Sequence, residues 1–231
     1  MRKIACQQCT VRHLTCIADL AVDELGEFQS CAVTGLYKPR QVVFHEGTPA
    51  NGLYVLCQGT VKLYQSDRFG RDFIIDVATP GAVLGELGLT DDDTYSASAE
   101  ALTEAQLSFL PRERLARFLE RHPKIGVQLV GSLSRALAAT RRKAGELALK
   151  RADARLADLL LRLGDGGGQR RIRLVYSRRE LAEMIGVSTE TAIRLLGKLK
   201  CGRMIAIDDE GIVVTDLDRL TRLARQGNLT A

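Results

Sequence analysis

The sequence predicts an α+β protein made of an N-terminal jelly-roll-like β-barrel, a long helix suited to a coiled coil, and a C-terminal winged helix-turn-helix. Three observations predict this fold class. Short β-rich runs alternate with glycine-bearing turns in the first half of the chain, an apolar three-four repeat follows, and two short helices with capping signals come last. The 231 residues suffice for two domains with cores of their own.

The composition is that of a folded protein, with 45% hydrophobic and 26% charged residues. No apolar run approaches the roughly 20 residues that span a bilayer, and the first residues lack the apolar core of a signal peptide. We therefore expect a cytoplasmic protein that does not enter a membrane. In that reducing compartment the six cysteines are expected to serve packing, redox chemistry or metal binding instead of disulfides.

The net charge of +5 is concentrated in the last third of the chain. Residues 1–149 contain 17 basic and 17 acidic residues, whereas residues 150–231 contain 16 and 11. A basic domain beside a neutral one fits a nucleic-acid partner, because neutralising phosphates releases counterions. A merely well-solvated surface explains the same excess equally well.

Residues 21–122 are predicted to form the barrel domain. Its β-rich runs, which are joined by glycine-bearing turns, are 41–44, 53–56, 61–64 and 73–76. Their spacing is typical of a small antiparallel barrel or sandwich.

The helix predicted for residues 123–149 carries a narrow apolar seam. Its members, spaced alternately three and four residues apart, are Val130, Leu133, Leu137, Thr140, Ala144 and Leu147. A helix packed only on its own barrel would usually show a broader apolar stripe. The narrow seam therefore favours a homodimer over packing within one chain.

Residues 150–231 are predicted to form the winged helix-turn-helix. Ser177 and Glu180 form a capping box, Gly186 breaks the first helix, and Ser188 or Thr189 can cap the second helix. The two wing strands are residues 204–207 and 211–214.

The second of these helices carries Glu190 and Arg194 four residues apart, on one face near its N-terminal end. In a major groove, arginine donates two hydrogen bonds to guanine and glutamate accepts one from cytosine. We interpret the pair as base-reading; a surface ion pair that supports the helix is the alternative. The predicted phosphate contacts are Ser188, Thr191, Lys198 and Lys200.

The segments Gly52–Lys62, Gly85–Gly88 and Glu190–Gly197 resemble hallmark stretches of the CRP/FNR superfamily of bacterial regulators, and the resemblance covers nearly the entire chain. It implies a barrel with the cyclic-nucleotide-binding-domain fold that acts as a sensor. It also implies a homodimer that binds palindromic double-stranded DNA with TGA-like half-sites, with RNA polymerase as a further partner.

In the family, the residues that match Glu190 and Arg194 read the core of the half-site. Ile193 departs from the FNR branch, which has a serine at the matching position to read an adjacent thymine. An apolar side chain there can still touch a thymine methyl, so Ile193 is included among the base-reading residues.

The resemblance also indicates that no cyclic nucleotide is bound. In the cyclic-AMP branch an Arg-Ser pair after the Gly-Glu-Leu segment binds the ligand phosphate, whereas the matching residues here are Tyr95 and Ser96. Without that arginine, Glu86 cannot hold an anionic nucleotide, and the glycine-rich segment around it is interpreted as a barrel turn.

The N-terminal arm, residues 1–20, carries Cys6, Cys9 and Cys16. It is similar to the arm of the oxygen-sensing FNR branch, whose three arm cysteines help to hold a [4Fe–4S] cluster, and soft thiolates suit iron. The resemblance implies a sensor of oxygen, redox state or nitric oxide. Two alternatives stay open: a zinc site with His13 as the fourth ligand, and a reversible thiol/disulfide switch.

The position of the family's fourth cluster ligand matches Ser108, a poor substitute for cysteine. Cys57 lies on a strand that is expected to run beside Ser108, and it is the preferred source of the missing thiolate. Cys31, on a helix expected near residues 22–32, is the alternative. Each of the two can equally be an ordinary buried cysteine.

A further departure concerns assembly. The FNR branch has an aspartate on the dimer seam that disfavours association until the cluster is present, and the matching residue here is Thr140. We therefore hypothesise that this chain dimerises without its cofactor and that the sensor adjusts DNA affinity.

An enzyme is not expected, because His13, His45 and His122 are scattered and no nucleophile–base pair or phosphate-cradling loop is evident. A non-catalytic protein-interaction module is the alternative from a different class. Salt-dependent binding to duplex DNA separates it from a DNA-binding regulator.

Overall fold

The computed structural model describes residues 20–85, 94–164, 171–173, 176–208 and 211–226. The chain forms two compact units, one of residues 1–71 and 75–138 and the other of residues 72–74 and 139–231. The boundary along the chain therefore falls inside the long helix.

The N-terminal half of the chain contains one helix, eight strands and a second helix. They are α1 (Val22–Cys31), β1 (Val33–Tyr37), β2 (Val42–Phe44), β3 (Gly52–Gln58), β4 (Val61–Ser66), β5 (Asp72–Ala78), β6 (Val83–Leu84), β7 (Ser98–Ala101), β8 (Ala105–Pro111) and α2 (Arg112–Arg121).

The long helix and the elements after it complete the described chain. They are α3 (Pro123–Leu149), α4 (Ala152–Gly164), β9 (Arg171–Arg173), α5 (Arg178–Ile185), α6 (Thr189–Cys201), β10 (Ile205–Asp208), β11 (Gly211–Val214) and α7 (Leu217–Gln226). None of the described helices is long and apolar enough to cross a membrane.

The strands of the N-terminal half form two four-stranded sheets, in the orders β1-β8-β3-β6 and β2-β7-β4-β5. Between the sheets lies the barrel core, to which both sheets contribute small or apolar side chains such as Leu56, Val61, Ala99 and Leu107. The predicted α+β fold class with a jelly-roll-like barrel is confirmed.

A second core, the helix-side core, lies on the outer face of the sheet that contains β3. Phe28 of α1 and Phe118 of α2 meet edge to face there, with ring centroids 5.7 Å apart, and pack with Val55 of β3. Strand β3 is therefore buried on both faces, Val55 in the helix-side core and Leu56 in the barrel core. Burial on both faces explains why its sequence is continuously apolar instead of alternating.

The seam of α3 is largely open to solvent in the single chain. Val130, Leu133 and Leu137 expose 61%, 40% and 51% of their surface. Thr140 and Ala144 are also exposed, whereas Leu147 is half-buried. Exposed apolar side chains in a row at this spacing need a partner helix to leave water.

The winged helix-turn-helix is confirmed. Ser177 caps α5 in a reciprocal capping box with Glu180, and Gly186 ends the helix in the left-handed conformation with φ +66°. Strands β10 and β11 pair antiparallel as the predicted wing hairpin. Two elements were not predicted: β9, which adds a third strand beside β11, and α7, which packs on α4.

Candidate DNA interface and sensor site

Helix α6 divides into a buried face and an exposed face. Ala192, Leu195, Leu196 and Leu199 are buried and hold the helix in the domain. The exposed face consists of side chains three or four residues apart, as expected for one side of a helix. Its members are Glu190, Ile193, Arg194 and Lys198. The predicted base-reading residues thus lie together on the open side of the helix.

Ile193 is the apolar member of this face and exposes 49% of its surface. Nothing in the domain core requires an isoleucine there. An exposed apolar side chain between two charged ones matches a surface that reads both base-edge polar atoms and a thymine methyl.

The electrostatics of the first turn favour an ionised Glu190. Hydrogen bonds from its own backbone N–H and from the Ser188 hydroxyl lower the pKa of Glu190. Its position in the first turn also places the carboxylate at the positive end of the helix dipole. The side chain is therefore an acceptor, as contact with a cytosine amino group requires.

Two of the predicted phosphate contacts, Ser188 and Thr191, also hydrogen-bond to each other at the N-terminus of α6. Ser188 is the N-cap, and its Oγ accepts a hydrogen bond from the Thr191 backbone N–H at 3.2 Å and lies 3.1 Å from Thr191 Oγ1. Lys198 and Lys200 are exposed in the last turn. All four lie where contact with a DNA backbone leaves the core of the domain undisturbed.

Inside the barrel lies Tyr95, the residue that the family resemblance matches to the phosphate-binding arginine of the cyclic-AMP branch. The ring is 5% exposed and stacks on Phe44 with centroids 4.1 Å apart, and the hydroxyl donates to the Gly52 carbonyl at 3.1 Å. A Cβ on Gly85 would lie only 2.7 Å from the Tyr95 ring, so ring and backbone are in close contact. The ring is therefore part of the apolar barrel core. Glu86 lies outside the described residues.

Cys57 lies at an irregularity in β3, where the pairing with β8 shifts register between Leu56 and Gln58. Its Sγ lies 3.4 Å from Ser108 Oγ, and Ser108 Oγ lies 3.3 Å from Thr34 Oγ1 of β1. Ser108 pairs with Val55, so its side chain points toward the helix-side core. The expected proximity of Cys57 and Ser108 is therefore present, on the face that α1 covers.

Cys31 is the last residue of α1 and is half-buried against the helix-side core. Cys31 therefore borders this core directly, whereas Cys57 contacts Ser108, whose side chain points toward it. Cys6, Cys9 and Cys16 lie outside the described residues. Within the described part of the chain, no three histidine, cysteine or acidic side chains are arranged to hold a metal ion.

A cluster that the sequence did not reveal surrounds His122, at the junction of α2 and α3. Its Nδ1 lies 3.2 Å from Glu24 and its Nε2 lies 2.9 Å from Glu27, while Arg121 pairs with Glu27 at 2.6 Å. The imidazole packs on the Phe118 ring. The hydrogen bond from His122, followed by the charge of Arg121, lowers the pKa of Glu27. These contacts fasten α1, the helix that follows the arm, to α2.

Comparison with known proteins decides the family. The cyclic nucleotide-binding domain family matches residues 35–122, and the Crp-like helix-turn-helix domain family matches residues 154–223. The chain belongs to the CRP/FNR family of transcription regulators. It is a DNA-binding regulator of that type and not an enzyme, and regulators of the CRP family bind DNA as dimers.

Curated and solved CRP/FNR relatives align over most of the chain. The CRP-like cAMP-activated global transcriptional regulator of Mycobacterium tuberculosis is 29% identical over 79% of this chain and 84% of its own. The transcriptional activatory protein AadR of Rhodopseudomonas palustris is 28% identical over 94% and 91%. The structure of the c-di-GMP-responsive global regulator CLP of Xanthomonas campestris covers 84% of this chain and 99% of its own, with 26% identity and a TM-score of 0.77.

Proposed function

We propose that this CRP/FNR protein is a homodimeric cytoplasmic regulator that reads palindromic DNA with TGA-like half-sites, under the control of a [4Fe–4S] cluster. The observation that carries the DNA part is the exposed face of α6, where Glu190, Ile193 and Arg194 lie side by side. The open seam of α3 supports the homodimer, because two copies would cover each other's apolar side chains. RNA polymerase is the protein partner that we expect at promoters.

Binding to short duplexes tests the DNA part. We expect a palindrome with two TGA half-sites to bind more tightly than the same duplex with both half-sites scrambled. The affinity should fall as salt rises, because phosphate contacts release counterions. Equal affinity for both duplexes would contradict sequence reading, and the absence of salt-dependent duplex binding would favour a protein-interaction module.

The proposed ligands of the cluster are Cys6, Cys9, Cys16 and Cys57, with Cys31 as the alternative fourth ligand. The donor set fits such a group, because Cys57 is a half-buried thiol on the side of the barrel sheet that α1 covers. Leu20, four residues after Cys16, is buried in the helix-side core, and four extended residues span at most about 14 Å. The proposed cluster therefore requires Cys57 to be accessible from the side of the barrel on which Leu20 is buried.

Cys57 and Ser108 would have different roles in the proposed cluster site. The Cys57 thiol would bind as the thiolate, and the Ser108 hydroxyl at 3.4 Å would donate a hydrogen bond to that sulfur. Such hydrogen bonds to ligand sulfur tune the reduction potential of iron–sulfur groups. When bound, the cluster would be the part of the protein that reacts with oxygen or nitric oxide. A thiol/disulfide switch or a zinc site that uses His13 is the competing proposal, and metal analysis separates the three.

We also propose that cyclic nucleotides do not activate this regulator, although the Mycobacterium relative is cAMP-activated. The support is the buried Tyr95 ring, which stacks on Phe44 where the family's phosphate-binding arginine would lie. Calorimetric titration with cyclic AMP should show no binding at micromolar concentration. A micromolar dissociation constant would contradict the proposal.

A further inference from the structure

Arg155, in the first turn of α4, reaches the C-terminal ends of two other helices. Its Nη1 donates to the carbonyls of Leu147 at 3.3 Å and Lys150 at 2.8 Å, at the end of α3. Its Nε donates to the carbonyl of Ile185 at 2.9 Å, in the last turn of α5. One half-buried guanidinium thus joins α3, α4 and α5 within the second unit.

The chemistry of these contacts explains why an arginine is needed where α3, α4 and α5 meet. The last carbonyls of a helix have no partner within the helix, and a cation near them is favoured by the helix dipole. A guanidinium presents several N–H groups in one rigid plane, so it can satisfy carbonyls of two helices at a fixed angle. A lysine has a single flexible ammonium group and cannot impose that angle.

The α5 contact lies at the turn of the helix-turn-helix. Ile185 is 2% exposed and immediately precedes Gly186, whose left-handed conformation redirects the chain toward α6. Arg155 therefore fixes the backbone at the turn that leads into α6, the proposed recognition helix. The α3 contacts hold the same guanidinium to the end of the helix that carries the dimer seam.

A separate set of ion pairs reinforces the joint between α3 and α4. Arg162 of α4 contacts Glu146 of α3 at 2.9 Å and Asp158 at 3.1 Å, and Lys150 contacts Asp158 at 3.5 Å. These pairs fix α4 to α3 but do not reach α5. Of these polar contacts, the one that reaches α5 is made by Arg155; helix α4 also packs directly on α5 and α6.

We propose that Arg155 is a positioning residue that fixes the angle between the dimer helix and the recognition helix, and thereby sets the half-site separation that the dimer accepts. The proposal rests on the proposed function, a homodimer on a palindrome. In such a dimer the twofold axis runs through the α3 seam, so the placement of α6 relative to α3 determines the distance between the two recognition helices.

The test measures spacing preference instead of affinity alone. Palindromes with TGA half-sites are prepared at the separation that the wild type prefers and with one or two base pairs inserted. Each inserted base pair rotates the second half-site by about a tenth of a helical turn. The ratio of the affinities is taken within one protein preparation, so a smaller active fraction does not change it.

Four proteins are compared: wild type, Arg155→Met, Arg155→Lys and the control Arg151→Met. Arg151 has the same charge, lies four residues earlier and is exposed, with an ion pair to Asp153. We expect a loss of about tenfold or more on insertion for wild type and Arg151→Met, but about threefold or less for Arg155→Met. Arg155→Lys should be intermediate, because it restores the charge without the planar donors.

The outcomes separate the proposals. If Arg155→Met is less stable to heat yet keeps the wild-type spacing ratio, Arg155 is merely structural and the inference is wrong. A wild type that binds all spacings equally also overturns it. A wild type that does not prefer the palindrome over scrambled duplex would overturn the proposed function itself.

Discussion

The Sγ atom of Cys57 lies 3.4 Å from the Oγ atom of Ser108, across the pairing of β3 with β8. The position that the family resemblance assigns to the fourth cluster ligand therefore has a thiol as its immediate neighbour, on an adjacent strand. A sulfur atom at residue 57 and a sulfur atom at residue 108 would approach the helix-side core from nearly the same place.

The first prediction moves the thiol from residue 57 to residue 108. Cys57→Ala should abolish incorporation of iron and sulfide, because three arm cysteines leave one iron without a protein thiolate. The double variant Cys57→Ala with Ser108→Cys should recover it, since the new thiol lies beside the lost one. The measurement is iron and sulfide content after anaerobic reconstitution.

Cys31→Ala is the matched control for these variants and should retain the iron content of the wild type. If Cys31→Ala loses the iron while Cys57→Ala keeps it, the fourth ligand is Cys31, and our assignment of Cys57 is wrong.

The second prediction concerns base reading by α6. Arg194→Ala should cost about 1–3 kcal/mol on the TGA palindrome and should relax discrimination at the guanine position. Glu190→Ala should relax discrimination in the same core, because the ionised carboxylate no longer accepts from cytosine. Anisotropy titrations against all single-base variants of the half-site provide the measurement.

Lys200→Ala serves as the comparison for a phosphate contact. It should weaken binding to all sequences to a similar degree and reduce the salt slope by about one. An Arg194→Ala protein that behaves in that way, with unchanged base preference, would show that Arg194 is a backbone contact.

The third prediction is that the protein without its cofactor is a dimer at micromolar concentration. In the proposed dimer the seam would present Leu133 and Leu137 to the partner helix, and Thr140, which the family resemblance matches to the aspartate of the FNR branch, would bring no carboxylate repulsion. Sedimentation velocity of protein prepared without iron should give the dimer mass, and a monomer would contradict the hypothesis.

Three variants test whether dimerisation depends on the seam. Leu137→Glu should produce a monomer, whereas Ala138→Glu, one residue away and off the seam, should not. Thr140→Asp should weaken the dimer, because two carboxylates would face each other across the seam.

The fourth prediction concerns acid and the attachment of α1. The His122 hydrogen bond lowers the pKa of Glu27 in the folded protein below its value in the unfolded chain. The stability that this contact contributes is therefore complete above the ordinary glutamate pKa of about 4.3 and is lost as the pH falls through the lowered value.

Urea unfolding of wild type and Glu27→Gln from neutral pH to about pH 3 checks this. The difference in unfolding free energy should be largest at neutral pH and should shrink in acid. Glu120→Gln, an exposed residue of α2, should show no such trend. A difference between wild type and Glu27→Gln that is constant with pH would contradict the assignment.

The parts of the structure that local chemistry determines were predictable from the sequence. The turn of the helix-turn-helix follows from Ser177, Glu180 and Gly186, which act on backbone within a few residues. The exposed face of α6 follows from helical periodicity. The proximity of Cys57 and Ser108 required the family resemblance, which supplied the strand order.

Contacts between distant residues were not predictable in this way. His122 meets Glu24 and Glu27 across 98 and 95 residues, and nothing in the local sequence marks the three as partners. Arg155 is equally invisible, because its acceptors are backbone carbonyls that every residue has. Strand β9 has only three residues, too few for a periodic signal.

Metal analysis of the anaerobically purified protein is the decisive test of the proposed [4Fe–4S] cluster. Iron and acid-labile sulfide are determined together with the visible absorption spectrum before and after exposure to air. We expect about four iron and four sulfide per chain and a visible band that bleaches in air. Colourless protein that takes up no iron on reconstitution would contradict the cluster and would move the sensor to zinc, a thiol switch or another ligand.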